Sequence, residues 1–218
     1  MTDVPPWILS WLSEPRLAGY LQAVDRDPGR ALALYTWNGR VAAAFLRDLS
    51  DLEILVRNAY DKAIDERWDG DRHWLLDTTF PLVAPKRHGT ADANHKTRQI
   101  IERATRDAGG PSATEGKIIA QLALGFWRHL TTRRREHEIW VPYLRHAFPA
   151  GTHRHDVDAQ LERVRVLRNR IAHHEAIFHL QLALDHGDLL ALCFSLSPDV
   201  ATHVARASEV PRLLSQRP

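Results

Sequence analysis

Residues 28–68 read PGRALALYTWNGRVAAAFLRDLSDLEILVRNAYDKAIDERW, and this stretch decides the fold. Apolar residues recur along it at intervals of three and four, the spacing of one face of an α-helix. Asp27 is a suitable N-cap, with Pro28 at the first helical position. The pattern predicts a long helical tract, which Ser50 and Asp51 could divide in two. Its periodic residues are Ala31, Leu34, Tyr35, Val41, Ala42, Phe45, Leu49, Leu52, Leu55, Val56 and Ala59.

The remainder of the chain also shows helical periodicity. Helices are predicted over residues 91–107, 115–130, 133–147 (interrupted by Pro142), 156–178 and 187–194, with another after Pro198. Residues 69–90, which contain two prolines and two glycines, predict a long irregular loop. Since the chain shows neither a strand pattern nor a repeat, we expect an all-α fold.

Length and composition indicate one domain over residues 1–218. A chain of 218 residues with 44% hydrophobic and 26% charged content can bury a sizeable core. We expect that core over residues 27–196, with residues 1–26 as an N-terminal appendage. The single cysteine, Cys193, excludes an intramolecular disulfide, and its apolar neighbours predict a buried side chain. No apolar run of membrane-spanning length and no signal-peptide pattern is present, so we expect a cytoplasmic protein without a membrane partner.

Positive charge is concentrated in one part of the sequence. The formal net charge is only +2, but residues 128–170 contain ten arginines and no lysine against five acidic residues. Arginine forks match phosphate oxygens well, so this segment indicates a nucleic-acid partner. For any single arginine, a solvated helical face is the competing interpretation.

Residues 167–175, LRNRIAHHE, carry the sharpest chemical pattern. Arg168 supplies a cation, Asn169 an amide and His173 an imidazole. Cleavage of RNA without a metal needs a cation for phosphate charge, a polar orienting group and a group that transfers protons. These three residues are the candidate catalytic set.

A helical wheel places Arg168 inside an apolar stripe. A charged group at a core-facing position must be paired or must line a cleft. Glu175, at nearly the same angle, and Glu53 are the two candidate partners. The stripe consists of Val157, Leu161, Val164, Ile171 and Phe178.

Asn169 and His173 share another face of this helix, together with Val166. Arg168 and His173 are about 140° apart around the axis. A cleft lined by two such helices would let both groups reach one phosphate. The spacing therefore predicts a symmetric dimer with the motif helices at its seam.

Residues 168–173 resemble the signature of the HEPN superfamily, an arginine and a polar residue followed after a short spacer by a histidine. With His174, the Ala-His-His form is similar to the abortive-infection (Abi) branch. Further similarity lies in Leu34-Tyr35-x-Trp37-Asn38, in Leu52-Glu53-x4-Asn58 with Arg57, and in Gly125-Phe126-Trp127. The resemblance extends from about Tyr20 to Phe194.

The resemblance implies a HEPN-like helical bundle that forms a homodimer and cleaves RNA without metal or cofactor. His173 would then be the general acid and base, Arg168 would stabilise the phosphorane, and Asn169 would orient His173 or the phosphate. The reaction would be attack by the ribose 2′-hydroxyl on its own phosphodiester, leaving a 2′,3′-cyclic phosphate. A toxic nuclease would also require an antitoxin protein.

The resemblance further implies a set of supporting or RNA-binding residues: Glu53, Arg57, Asn58, Arg170, His174 and Glu175. Several Abi-like proteins continue after the paired histidines with an arginine and a polar residue, whereas Glu175-Ala176-Ile177-Phe178 follow here. The RNA contacts could instead come from Arg57, Arg170 or residues 133–135.

Two other interpretations remain open at this stage. One is a catalytically silent HEPN-type dimer that binds RNA or a protein partner. The other is a metal hydrolase that gathers His153, His155, His173 and His174, although the chain has no His-Glu-x-x-His pattern. A nucleotide-binding Walker or Gly-x-Gly-x-x-Gly pattern is absent from the sequence.

Overall fold

The computed structural model describes residues 4–88 and 91–218, and helices dominate it. Within these residues the only strands are β1 (Arg87–His88) and β2 (Ala91–Asp92), a short antiparallel pair. The all-α class is therefore confirmed. The helices are α1 (Pro6–Leu12), α2 (Glu14–Ala23), α3 (Pro28–Asp65), α4 (His95–Asp107), α5 (Glu115–Ala120), α6 (Leu124–Leu130), α7 (Arg154–Ala172), α8 (Leu182–Leu196), α9 (Pro198–Ala207) and α10 (Val210–Leu214).

The long tract is one unbroken helix of 38 residues. As predicted, Asp27 caps it, since its Oδ1 accepts the Arg30 N–H at 2.9 Å. The predicted division at Ser50 is wrong. Ser50 Oγ donates to the Arg47 carbonyl at 2.6 Å, so its hydroxyl is satisfied inside the helix.

Helix α3 is the centre of the bundle and packs against α2, α6, α7, α8, α9 and α10. Near its N-terminal half, Asn38 Oδ1 accepts the N–H groups of Ile177 and Phe178, which follow α7, at 2.8 and 3.0 Å. Helices α7 and α8 are joined by Arg163 and Asp188, whose Nε and Oδ2 are 2.6 Å apart. These contacts hold the C-terminal end of α7 beside α3.

The core extends beyond residues 27–196 in both directions. Helices α1 and α2 bury Ile8, Leu12, Leu17 and Tyr20 in it, and the rings of Tyr20 and Phe178 are 4.9 Å apart. Residues 1–26, so far as they are described, therefore pack against the bundle. The C-terminal helices add Val204, Val210 and Leu213.

The segment after α3 is irregular, as predicted, but it is packed. Asn94 is fully buried, and its Nδ2 donates to the carbonyls of Pro81 and Ala84 at 2.9 and 2.8 Å. Residues 89 and 90 of the predicted loop lie outside the described residues. The fully buried side chains of the segment are Trp74, Leu75, Phe80 and Leu82.

Several helix predictions need correction. Helix α4 begins at His95 and not at residue 91, because residues 91 and 92 pair with β1. Residues 115–130 form two helices, α5 and α6, instead of one. Glu53 Oε1 accepts the Leu124 N–H at 2.9 Å, so the first N–H group of α6 is bonded to α3 and not to the preceding turn. Residues 133–147 form a 3₁₀ turn (Arg133–Arg135), a π turn (Glu136–Trp140) and a second 3₁₀ turn (Leu144–Ala147). Helix α8 begins at Leu182, five residues before the predicted start, and ends at Leu196. The predicted helix after Pro198 is confirmed as α9.

Two further observations concern Cys193 and the lengths of the helices. Cys193 is a free, buried thiol, as predicted, and burial raises its pKa to about 12. In the described parts of the chain, none of the helices combines the length and apolar composition that crossing a bilayer requires.

Candidate functional site

The Arg-Asn-x3-His residues lie at the C-terminal end of α7. The helix ends at Ala172, so the predicted continuation to Phe178 is wrong. His174 has a left-handed φ of 55°, and its N–H donates to the Ile171 carbonyl at 3.0 Å. The Glu175 N–H donates to the Arg170 carbonyl at 2.8 Å, which completes a Schellman-type helix end. His173 is the C-cap and His174 is the residue that turns the chain.

Arg168 lies at the edge of the buried face of α7. The wheel predicted it inside the apolar stripe, but Leu167 is buried there and Arg168 is only half-buried. Among the described residues Arg168 forms no ion pair, so neither predicted bridge exists. Glu175 is exposed and pairs instead with Arg170, at 3.7 Å between Oε2 and Nη1.

Glu53 has a structural role at the start of α6. Its carboxylate accepts the Leu124 N–H, where an anion also meets the positive end of the short helix. A Cβ on Gly125, the next residue, would lie 3.9 Å from Cδ of Arg165 on α7. The N-terminus of α6 is thus held between α3 and α7.

The other supporting residues of α3 lie one turn beyond Glu53. Arg57 is half-buried and, within residues 4–88 and 91–218, has no carboxylate within ion-pair distance. Asn58 is exposed. Arg57 is therefore a second half-buried cation free of an acidic partner, on a helix that packs against both α6 and α7.

Asn169 and His173 share the outward face of α7 with Val166. Asn169 is half-buried, His173 is exposed, and Val166 is 41% exposed. Helix geometry places Arg168 about 140° around the axis from His173 and about 7.5 Å along it. One copy of the chain therefore presents Arg168 and His173 in different directions.

A residue from the N-terminal helices also reaches the motif. The Arg16 guanidinium on α2 donates to the carbonyl of His174, 158 residues away in sequence. Sequence reasoning missed Arg16, because no local pattern reports a contact between segments so far apart. The contact fixes the exposed His173–His174 turn against the bundle.

Two predicted groups of basic residues are not brought together. His155 precedes His173 by about 27 Å along α7, so one copy cannot gather His153, His155, His173 and His174 around an ion. No group of three or more His, Cys, Asp or Glu side chains suited to a metal occurs in the part of the chain that the structure describes. In the 133–135 run, Arg135 is buried and donates to Asn94 Oδ1 at 2.7 Å, which leaves only its two neighbours exposed.

A buried Asp48–His186–Ser208 cluster was also missed, and it is structural. His186 Nε2 is 3.0 Å from Ser208 Oγ and 3.5 Å from Asp48 Oδ2. A hydrolytic triad uses one imidazole nitrogen for the serine and the other for the carboxylate, whereas one nitrogen faces both groups here. Ser208 Oγ also donates directly to Asp48 and accepts the Val210 N–H at 3.2 Å, which joins α3 to the start of α10.

The end of α7 therefore offers a cation, an amide and an imidazole at its surface; the imidazole is exposed, and the other two groups are half-buried. These groups can hold a phosphate and move a proton. No family model matches the chain, and neither a curated protein nor a solved structure is significantly similar to it.

Proposed function

We propose that this protein is a metal-independent endoribonuclease of the abortive-infection or toxin type, with a HEPN-like site at the end of α7. The observation that carries the proposal is that Arg168 is partly buried and forms no ion pair among the described residues. This cation lies five residues from the exposed His173. Burying a charge is costly unless an opposite charge compensates it, and a bound phosphate would supply that charge for Arg168.

The chemistry follows from the three side chains. His173 accepts the proton of a ribose 2′-hydroxyl, whose oxygen forms a bond to the adjacent phosphorus. The bond from phosphorus to the 5′-oxygen breaks, and the protonated imidazole returns its proton to that oxygen. Arg168 neutralises the charge that develops on the phosphorane, and Asn169 orients the phosphate or His173. The products are a 2′,3′-cyclic phosphate and a 5′-hydroxyl.

A second copy of the chain completes the site in this proposal. Val166 is exposed on the face that also carries Asn169 and His173, and an interface between two copies would cover it. Because Arg168 and His173 diverge within one copy, Arg168 of one copy would act with His173 of the other. Arg57 and Arg170 would contact neighbouring phosphates.

A silent HEPN-type dimer that binds RNA or a protein is the second candidate. It is favoured by the surroundings of His173, whose imidazole has no side-chain hydrogen-bond partner within the described ranges of the chain. Catalytic histidines are usually oriented by a second group. The proposed dimer would have to supply that group.

The decisive assay incubates total bacterial RNA with wild type, Arg168→Ala and His173→Ala in excess EDTA and analyses the product ends. Matched controls are Arg103→Ala on α4, whose side chain is 79% exposed, and His137→Ala, which is also exposed. We expect cyclic-phosphate ends and a loss of about 10²- to 10⁴-fold in the two site variants only. Undiminished cleavage by a folded His173→Ala protein would refute the proposal, and no cleavage by any protein would favour the silent dimer.

A mixing experiment tests the composite site. Equal amounts of Arg168→Ala and His173→Ala chains, unfolded and refolded together, form heterodimers in which one of the two sites has both intact residues. If the residues act across the seam, the mixture should recover about a quarter of wild-type activity. If both residues act within one copy, each site keeps one defect and activity does not return.

A further inference from the structure

A large open cavity lies at the opposite end of α7 from the Arg168 site. It has a volume of about 620 Å³ and is formed by the π turn, residues 148–152 and the first residues of α7. Cavities that hold small ligands typically measure about 300–1,000 Å³. Its lining includes Trp140 and Phe148, whose ring centroids are 5.4 Å apart.

The lining of this cavity is strongly basic. Arg145, His146, His153, Arg154 and His155 line it, against a single acidic residue, Glu136. Glu136 is already engaged, since its Oε2 is 3.3 Å from Nε of Arg154. Arg145 is exposed and has no carboxylate within ion-pair distance in the described parts of the chain. The charges of the lining therefore do not cancel.

The side chain of Arg154 is fixed beside the cavity and its charge is paired. It is only 11% exposed, and its Nη1 donates to the Thr131 carbonyl at 2.8 Å. Its Nε lies 3.3 Å from Glu136 Oε2, and its Nη1 lies 3.4 Å from Asp158 Oδ2. Arg145 is therefore the arginine of the lining that is left for an anionic ligand.

The start of α7 provides backbone donors in the same place. His153 is the N-cap but makes no side-chain capping bond, and Gly151 makes the preceding turn with a φ of 87°. Within the described residues, the N–H groups of Arg154 and His155 have no backbone acceptor. These N–H groups and the positive end of a 19-residue helix attract anions.

The electrostatic environment of His146 agrees with this description. Burial lowers its pKa, and the nearby charges of Arg67 and Arg145 lower it further. The positive field at the cavity thus comes mainly from Arg145, which keeps its charge throughout the ordinary pH range. His155 is a weaker contributor, because Asp156 lies 3.1 Å from it.

We propose that this cavity binds the phosphate monoester of a nucleotide-sized ligand, with the phosphate between Arg145, His153 and the N-terminus of α7. The cations and the free N–H groups select a compact anion, and the volume leaves room for a nucleoside beside Trp140. A free nucleoside monophosphate and the 5′-phosphorylated end of an RNA strand share this chemistry. The site is about 27 Å along α7 from His173, so it is independent of the proposed ribonuclease activity.

Calorimetric titration of the full chain tests this proposal. The probes are adenosine monophosphate, adenosine, and an RNA tetranucleotide with and without a 5′-phosphate. We expect the phosphorylated probes to bind and their unphosphorylated forms to bind at least tenfold more weakly. If the phosphorylated tetranucleotide binds more tightly than adenosine monophosphate, the ligand of the cavity is the end of an RNA strand. If adenosine monophosphate binds more tightly, the ligand is a free nucleotide.

Two variants make the test specific. Arg145→Gln removes an exposed cation of the lining and should weaken binding of the phosphorylated probes at least tenfold. Arg103→Gln, on α4 and outside the cavity, should leave binding unchanged. Thermal unfolding confirms that both variants fold. Absence of binding by either phosphorylated probe, or undiminished binding by folded Arg145→Gln, would overturn the proposal.

Discussion

Acid should destabilise the folded protein through His129 on α6. The imidazole is half-buried, and its Nε2 lies 3.3 Å from Nε of Arg135. Burial is the main reason for a pKa of about 4, and the charges of Arg135, Arg128 and Arg134 lower it further. The native structure therefore holds His129 neutral, as the acceptor of the Arg135 N–H.

The size of the effect follows from the difference between the folded and unfolded pKa values. An unfolded histidine titrates near 6.5, so between that pH and about 4 the unfolded chain binds a proton that the folded chain excludes. Stability is thus lost as the pH falls, by about 1.4 kcal/mol for each pH unit. At about pH 5 the loss from His129 alone should be about 2 kcal/mol.

Urea unfolding of wild type and His129→Gln at about pH 7.5 and about pH 5 measures this loss. Glutamine can still accept the Arg135 N–H but does not titrate, so the variant should lose about 2 kcal/mol less than wild type between the two conditions. His137→Gln, at an exposed position, is the matched control and should follow wild type. If wild type and His129→Gln lose equal free energy, His129 is not held neutral and the reasoning fails.

Two further predictions concern the chain around the end of α7. Asn38→Leu should lower the free energy of unfolding by roughly 2–4 kcal/mol, because the buried N–H groups of Ile177 and Phe178 lose their acceptor. A loss below about 1 kcal/mol in urea unfolding would show that water or another group replaces the amide. His174→Gly should raise the free energy of unfolding by about 0.5–1 kcal/mol, since glycine adopts the left-handed conformation without strain. A lower melting temperature for His174→Gly would contradict the expected relief of strain at the helix end.

The sequence predicted the elements that depend on local periodicity. Helix α3 has many apolar residues at helical spacing and a capping Asp27, and its start and cap are both confirmed. The burial of Cys193 followed in the same way from its apolar neighbours. Such features depend on residues a few positions apart, so the local sequence contains the necessary information.

The candidate site was predicted less completely. A helical wheel gives the angles of side chains but not the position at which neighbouring helices close over them. The neighbouring helices cover Leu167 and bury it, whereas Arg168 lies at the edge of the buried face of α7. The end of α7 was missed for another reason. The turn uses His174 in a left-handed conformation that glycine usually supplies, so the sequence carried no glycine to mark it.

The sequence by itself determined an all-α chain, its longest helix and the set of residues whose chemistry suits phosphate. Only the tertiary structure decided which of those residues are already bonded to distant segments of the chain. The carboxylate of Glu53 accepts a hydrogen bond from the N–H of Leu124, 71 residues away. The carbonyl of His174 accepts one from the guanidinium of Arg16, 158 residues away. Helical periodicity is a local property with a short repeat, whereas the pairing of a charge depends on which distant segment the packed core brings beside it.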